Sequence, residues 1–441
     1  MPRLTDTPTS GPSVARSGNR SLRLPWIISH DTLNQMFSAL TYFGPVFVLF
    51  LSELGLPKTQ IGFLLSLLPF CGPLALFVAP AVARVGVKRV FLVCWSGRTA
   101  VTALFLLVPW MAPQTGAETT FAVVATLVMA FALLRAVGET AFYPWFQEMV
   151  PPAIRGRFSG IRDLFGLLGT GVSLVAASYA IEHVTGIAGY VLVIGAGVVI
   201  GFISVLCAFP IPGGAPGRRR YTSHSRALRQ ALDDRVFRIY LAATGLTILG
   251  GYSMVYAFVP LFMKEQVGLP DSDILLLQVV SHCAGLLSCY AWGWAADRYG
   301  SKPVVMWAVG LMVLVPLCWW VMPRHHALSF AAGAAIALLW GVFNAGWSVG
   351  EQRLFYVDVI PPEKKTEYVA VFYAWMGLLG GLGPIAAGVA LDAFDGPSGH
   401  WLGLPVGPFT PVFVVGAVLL GTSVLIMSRL KSAMRGEPTR R

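Results

Sequence analysis

The chain has 441 residues, of which 56% are hydrophobic and only 12% charged. With a mean hydropathy of +0.68, that composition excludes a water-soluble globule and fits a polytopic membrane protein. The balance of 32 Lys and Arg against 21 Asp and Glu gives a net charge of +11, but where the basic residues fall excludes a nucleic-acid footprint. With the N-terminus inside, about 26 of the 32 lie in the tails and the loops of that side, and about three in the loops opposite. The charge therefore reports topology, with both termini cytoplasmic.

Residues 1–26 read as a polar cytoplasmic tail, and the apolar stretch that follows as an uncleaved signal-anchor. Predicted spans run over 27–53, 59–82, 89–111, 119–148, 161–182, 187–210, 236–262, 272–295, 302–322, 328–356, 368–391 and 409–428. Each is long enough to cross a hydrocarbon core of about 30 Å as a helix. The expected fold is an all-α integral membrane protein of twelve transmembrane helices. It divides into a six-helix domain over 27–211, a Pro-, Gly- and Arg-rich cytoplasmic linker over 212–235, a second six-helix domain over 236–428, and a basic cytoplasmic tail over 429–441. The glycines, 47 of them, suit close helix packing in a bilayer. All six cysteines lie in apolar spans at no metal-ligand spacing, so they read as small packing residues.

In the first span Asp31, Asn34, Gln35 and Tyr42 recur at helical spacing and predict a polar face towards a cavity. Arg98 in the third span and Arg135 and Glu139 in the fourth are charges inside the membrane, where each costs at least ~2.5–3.5 kcal/mol on insertion scales. They must face a cavity or each other. Arg135 and Glu139 are one turn apart, and Glu139 lies at a depth that puts it within reach of either arginine. In the second half, Tyr252 and Tyr256 of the seventh span can stack on or hydrogen-bond a ligand, as can Tyr373 and Trp375 of the eleventh. Gln278 and His282 share a face of the eighth span and read as a helix-helix contact. Asn344, Trp347 and Glu351 share a face of the tenth, with Arg353 on a different one. A carboxylate thus sits near the midplane of the fourth helix of each half. Its proton affinity can change as a cavity switches from one side's water to the other's, which is what proton coupling requires.

The halves echo each other. Pro151-Pro152 recurs as Pro361-Pro362 at an offset of 210, and Gly55-Leu56-Pro57 as Gly268-Leu269-Pro270 at 213. Gly86-Val87-Lys88 recurs as Gly300-Ser301-Lys302 at 214, and the Gly-Leu-Leu-Gly run at Gly166 recurs at Gly377 at 211. Each half has an even number of spans, so these are parallel repeats, and a substrate site is expected between them near the midplane.

The loop Gly293-Trp-Ala-Ala-Asp297-Arg298-Tyr-Gly300-Ser-Lys302-Pro303 resembles the signature loop of the major facilitator superfamily. In the first half the corresponding loop, Ala83-Arg84-Val85-Gly86-Val87-Lys88-Arg89, lacks the acidic residue. The Pro-x-x-x-Arg-Gly-Arg run from Pro151, the twelve spans and the central linker are also similar to the family's plan. The resemblance implies alternating access. It implies a latch on the cytoplasmic side holding the outward-facing state, carried by Asp297, Arg298, Gly300 and Lys302, with Arg353 as an added partner. It also implies a cavity lined by the fourth and tenth spans.

No phosphate-binding loop, zinc-ligand spacing, nucleophile elbow or dinucleotide fingerprint is present in the sequence. The expectation is a carrier rather than an enzyme, without cofactor or metal and driven by a gradient, with protons the first candidate. Its expected surroundings are the lipid bilayer of the cell (inner) membrane and a small-molecule substrate, with no nucleic acid and no second copy. An efflux antiporter for a drug or metabolite is the neighbouring reading; the glycine-proline run from Gly380 to Gly388 lies in the wrong helix to decide for it. A non-transporting receptor that kept the carrier fold is the reading from another class.

Overall fold

The computed structural model describes residues 24–150, 154–216, 231–360, 365–394, 396, 399–401 and 404–430. Its membrane-length helices are Leu24–Glu53 (α1), the bent pair Lys58–Leu74 and Phe77–Val85 (α2), Val87–Thr115 (α3), Ala117–Phe146 (α4), Arg157–His183 (α5) and Ile187–Ala208 (α6). The second set is Arg235–Val267 (α7), Asp271–Tyr299 (α8), Ser301–Val321 (α9), Ser329–Val359 (α10), Tyr368–Ala393 (α11) and Thr410–Ser428 (α12). Among the described residues eleven are long and apolar enough to cross a membrane, and α2, bent by 68°, makes a twelfth. The sequence expectation of twelve membrane helices is met, with ends shifted by a few residues. One element was not expected: a short antiparallel ribbon between α11 and α12 pairs Gly399 with Val406. The Trp320 indole donates to the Pro405 carbonyl at 2.7 Å and ties the ribbon to α9.

Local chemistry explains the irregular points. Asp234 caps α7, its carboxylate accepting from the backbone of Val236 at 2.8 Å and of Phe237 at 3.3 Å, which satisfies donors that have no partner within the helix. The helix of α1 stops at Leu40 and resumes at Pro45, with Gly44 fully extended between. Proline tolerates a first helical turn because its missing N–H would have no partner there. The helix of α7 widens into a π-helix over Ile248–Tyr256, stops, and resumes at Val259. Breaks thus occur in the first helix of each half, at Thr41–Gly44 and at Ala257–Phe258.

Short connections make neighbouring spans antiparallel, so Leu24, the linker ends Pro216 and Arg235, and Leu430 share one face, called here the termini face. The opposite one is the far face. The linker expected over 212–235 lies outside the described residues from 217 to 230. Its start docks on the first half, where Gly214 N–H donates to Glu148 at 3.0 Å and the Trp145 indole to the Pro212 carbonyl at 2.8 Å.

The two halves meet chiefly through α2 against α11 and α5 against α8. At the first of these seams backbone approaches backbone. A Cβ on Gly62 would lie 2.2 Å from the Pro384 carbonyl oxygen, and one on Gly388 would lie 2.4 Å from that of Lys58. No residue but glycine fits such spacing.

Candidate functional site

Among the described residues, every hydrogen bond or ion pair between the halves lies towards the far face. Lys58 meets Glu265 at 3.1 Å, and Lys264 meets Glu53 at 3.1 Å. Lys264 also holds Asp271 of its own half at 2.9 Å, and the Tyr190 hydroxyl donates to the same carboxylate. The Asp392 carboxylate at the end of α11 accepts from the backbone N–H groups of Lys58, at 3.3 Å, and Thr59, at 2.7 Å. It therefore caps the start of α2, where the helix dipole is positive. Ser178 of α5 donates to the Ser272 carbonyl of α8 at 2.9 Å. Among the described residues, the bonds that join the halves therefore close the far face.

In the first half, Arg98 is fully buried. Its guanidinium donates to the Asn34 side-chain oxygen, which also accepts from the Trp95 indole at 3.2 Å. The guanidinium lies 3.9 Å from the Trp95 ring centre and 4.9 Å from that of Phe37, a stacked arrangement that suits a planar cation. Arg135 and Glu139 pair across one turn of α4 at 2.7 Å, and both side chains keep some exposure. Arg135 also lies over the ring of Phe43, 4.6 Å from its centre. Of the two partners open to Glu139 in the sequence, the structure therefore shows Arg135.

The polar face expected on α1 is divided. Gln35 donates to Asp31 at 2.9 Å and packs against Gly166 of α5, and Arg162 of α5 approaches Asp31 at 3.5 Å. Asn34 turns to α3 instead. Tyr42 is buried and stacks on Phe131 at 3.7 Å. A rotation of 100° per residue separates Asn34 from Gln35, so one belongs to the α3 contact and the other to the α5 contact.

The second half presents a ladder of tyrosine donors along α7. Tyr240 donates to Glu351, Tyr252 to Asn344, and Tyr256 to Gln278. Among the described residues no Lys or Arg nitrogen lies within 4 Å of the Glu351 carboxylate. Trp347 does not join this row; it is buried in the core of the second half. The Trp375 indole is occupied by the Leu241 carbonyl at 2.9 Å, and Tyr373 is exposed. His282 donates from Nδ1 to the Gln278 carbonyl within its own helix at 2.7 Å.

Asp297 pairs with Arg353, joining α8 to α10 within the second half rather than one half to the other. Arg298 lies over the Trp294 ring at 5.4 Å. Gly300 has a φ of +88° where α8 turns into α9, and Lys302 donates to the Ser428 carbonyl at 3.1 Å and to that of Leu430. In the first half Gly86 has a φ of +106°, and Lys88 donates to the Phe209 carbonyl at 2.8 Å. The echo at an offset of 214 is thus a structural one: in each half a lysine satisfies carbonyls at the end of the sixth helix, which the helix itself leaves open. The Pro151-Pro152 and Pro361-Pro362 echoes lie outside the described residues.

Sequence reasoning missed Tyr240, Trp340 and the far-face pairs. Trp340 was within reach of the pattern, being one turn before Asn344. Glu53, Lys58, Lys264 and Glu265 carry no local signal, because their partners are more than 200 positions away in the chain.

A family model described as the Major Facilitator Superfamily matches residues 32–384. The chain is 24% identical over 422 residues to a probable nitrate/nitrite antiporter, NarK1, of Thermus thermophilus, covering 90% of this chain and 89% of that one. The crystal structure of the nucleoside transporter NupG superposes with a TM-score of 0.65 at 17% identity, covering 95% of this chain and 100% of that one. A bacterial homologue of the iron transporter ferroportin, in an inward-facing state, gives a TM-score of 0.70 at 13% identity, covering 96% and 100%.

Proposed function

The chain belongs to the Major Facilitator Superfamily and is a multi-pass membrane transporter, not an enzyme, and on that premise we propose that it is a proton-coupled secondary carrier of a small polar or amphipathic organic solute. The arrangement that carries the reading is the pairing of two unlike walls. The first half offers the half-open Arg135–Glu139 pair, and the second offers the tyrosine ladder with Glu351 at its base. A solute between them meets charge on one side and neutral hydrogen-bonding groups on the other.

Alternating access follows from the ionic contacts. With α2 capped by Asp392 and the two lysines engaged, the halves are clasped at the far face. Reading the termini face as cytoplasmic, by the distribution of basic residues, makes this the inward-facing state in the cell (inner) membrane. Rocking the halves about the site breaks the far-face clasp and closes the other end.

Glu351 is the proton carrier in this reading. Glu139 is engaged by Arg135 at 2.7 Å. Glu351 accepts from the Tyr240 phenol and has no cationic partner among the described residues, and a carboxylate so placed changes its charge when water reaches it or leaves.

The test is uptake into proteoliposomes carrying the full chain, with an imposed proton gradient. The panel holds nucleosides, pentitols, sugars, organic acids and nitrate. Accumulation of one organic class, collapsing when the gradient is discharged, is expected. Nitrate as the only substrate moved, or uptake indifferent to the gradient, sinks the respective part of the proposal.

A further inference from the structure

Between the breaks of α1 and α7 lies a cavity of about 260 Å³. It is framed by Phe43, Gly44 and Pro45 on one side and by Ala257, Val259 and Pro260 on the other. A continuous helix at either place would fill this space with its own turn. Repeating the break in both halves leaves room between them.

Two properties of the walls decide what fits. No lining residue is charged, so an ion placed here would lose its hydration without a counter-charge. Most of the wall is apolar or aromatic, and α7 and α8 contribute the polar side chains of Tyr256, Gln278 and Ser281. The Tyr256 ring stacks on Trp340 with centres 4.6 Å apart and planes 17° from parallel. The Tyr256 hydroxyl engages one end of the Gln278 amide, leaving the other end of that amide for a ligand. Ser281, one turn from Gln278 along α8, also lines the cavity. A cavity of this size falls below the roughly 300–1,000 Å³ usual for drug-sized ligands, which limits the occupant to one ring or a fused pair.

We propose that this cavity binds a compact, planar, uncharged ring whose edge hydrogen-bonds to Gln278 and Ser281 while it packs against the Tyr256–Trp340 stack. The inference rests on the carrier reading above and deepens it. The Arg135 guanidinium lies over Phe43, a wall residue, so a polar or charged substituent on such a ring meets the Arg135–Glu139 pair at the cavity's edge. The solute class is then amphipathic: a flat apolar ring with a polar tail.

The test uses the purified full chain and measures thermal stabilisation by indole, nicotinamide and uracil, with cyclohexanol as a ring of similar size that is not planar. Bound ligand stabilises the folded protein by mass action. Planar rings are expected to raise Tm and cyclohexanol not to. Gln278→Leu should raise the apparent Kd for nicotinamide and uracil at least tenfold, with a smaller loss for indole, which relies more on the ring faces. Ala337→Phe should abolish binding of all three by filling the space; if that variant does not fold, Ser281→Ala supplies the second reading, with a loss for uracil and nicotinamide. Equal stabilisation by cyclohexanol, or binding undiminished in these variants, overturns the proposal. Absence of any shift in a protein that does transport an organic solute overturns the ring site and leaves the carrier reading standing. Ring binding in a protein that transports nothing does the reverse.

Discussion

Tyr240 of α7 donates its hydroxyl to the carboxylate of Glu351 on α10. Both residues are largely buried, and the next charged group along α10, Arg353, is turned away to Asp297. The helix sets this division: a step of two residues turns about 200°, so Glu351 and Arg353 cannot serve the same site. Glu351 is left as a carboxylate inside the bundle whose neighbour is neutral.

Glu351→Gln keeps the size of the side chain and an oxygen for Tyr240 while removing the titrating group. The expected outcome is loss of gradient-driven accumulation with solute exchange retained. Uptake driven by an imposed pH step, compared with counterflow in the same vesicles, measures the two separately. Accumulation that persists in the variant assigns coupling elsewhere.

Lys264→Met removes two ion pairs at the far face, one of which joins the halves. Pairs with this exposure contribute at most ~1 kcal/mol each, so the ratio of the state closed at the far face to the open one should fall by up to about fivefold. Asp297→Ala, which removes the latch that the family resemblance implies for the opposite state, should act in the opposite direction. Electron-paramagnetic distances between spin labels across the far face report both. A shift of the same sign in the two variants, or none in Lys264→Met, contradicts the assignment.

Gly62→Ala should be costly where Gly171→Ala is not. The added Cβ at Gly62 would fall 2.2 Å from a backbone oxygen that cannot move alone, whereas at Gly171 it meets nothing within 4 Å. Overpacking of this kind costs about 1–3 kcal/mol, and an alanine at an open helical site gains up to ~1 kcal/mol. Thermal unfolding of the two variants in the same detergent gives the comparison directly.

Arg98→Lys should lower stability, and Arg135→Lys should chiefly affect transport. The Arg98 guanidinium is stacked on Trp95 and bonded to Asn34, contacts that an ammonium on a flexible stem does not reproduce. A loss of about 1–2 kcal/mol is expected from the stacking alone. Arg135 is partly exposed and pairs with Glu139 through charge, which lysine retains, so its folding should be little changed while solute affinity falls. Melting temperature and KM, measured for both, separate the roles.

The twelve spans were legible in the sequence, and the expectations of duplication and sidedness could be drawn from it, because each rests on local chemistry repeated many times. Twenty apolar residues make a span wherever they occur, and basic residues mark one side loop by loop. The Lys88 and Lys302 echo was visible for the same reason: a glycine with positive φ and a lysine two positions on are neighbours in the chain before they are neighbours in space. The intramembrane charges were also visible, since so few charges fall within spans.

What the sequence by itself determined is therefore which residues must avoid lipid. Which partner each would find was decided by the tertiary structure. Asn34 and Gln35 are adjacent in the chain, yet they face α3 and α5. Glu139 had two arginines at its depth and pairs with the one on its own helix. The far-face lysines meet carboxylates of the other half across more than 200 positions. Side-chain partners across helices depend on the rotation and tilt of each helix about its axis, which close packing of glycine seams such as Gly62 against Pro384 fixes. An apolar pattern constrains that rotation only weakly in a membrane, because lipid tails and the bundle interior are nearly equally apolar.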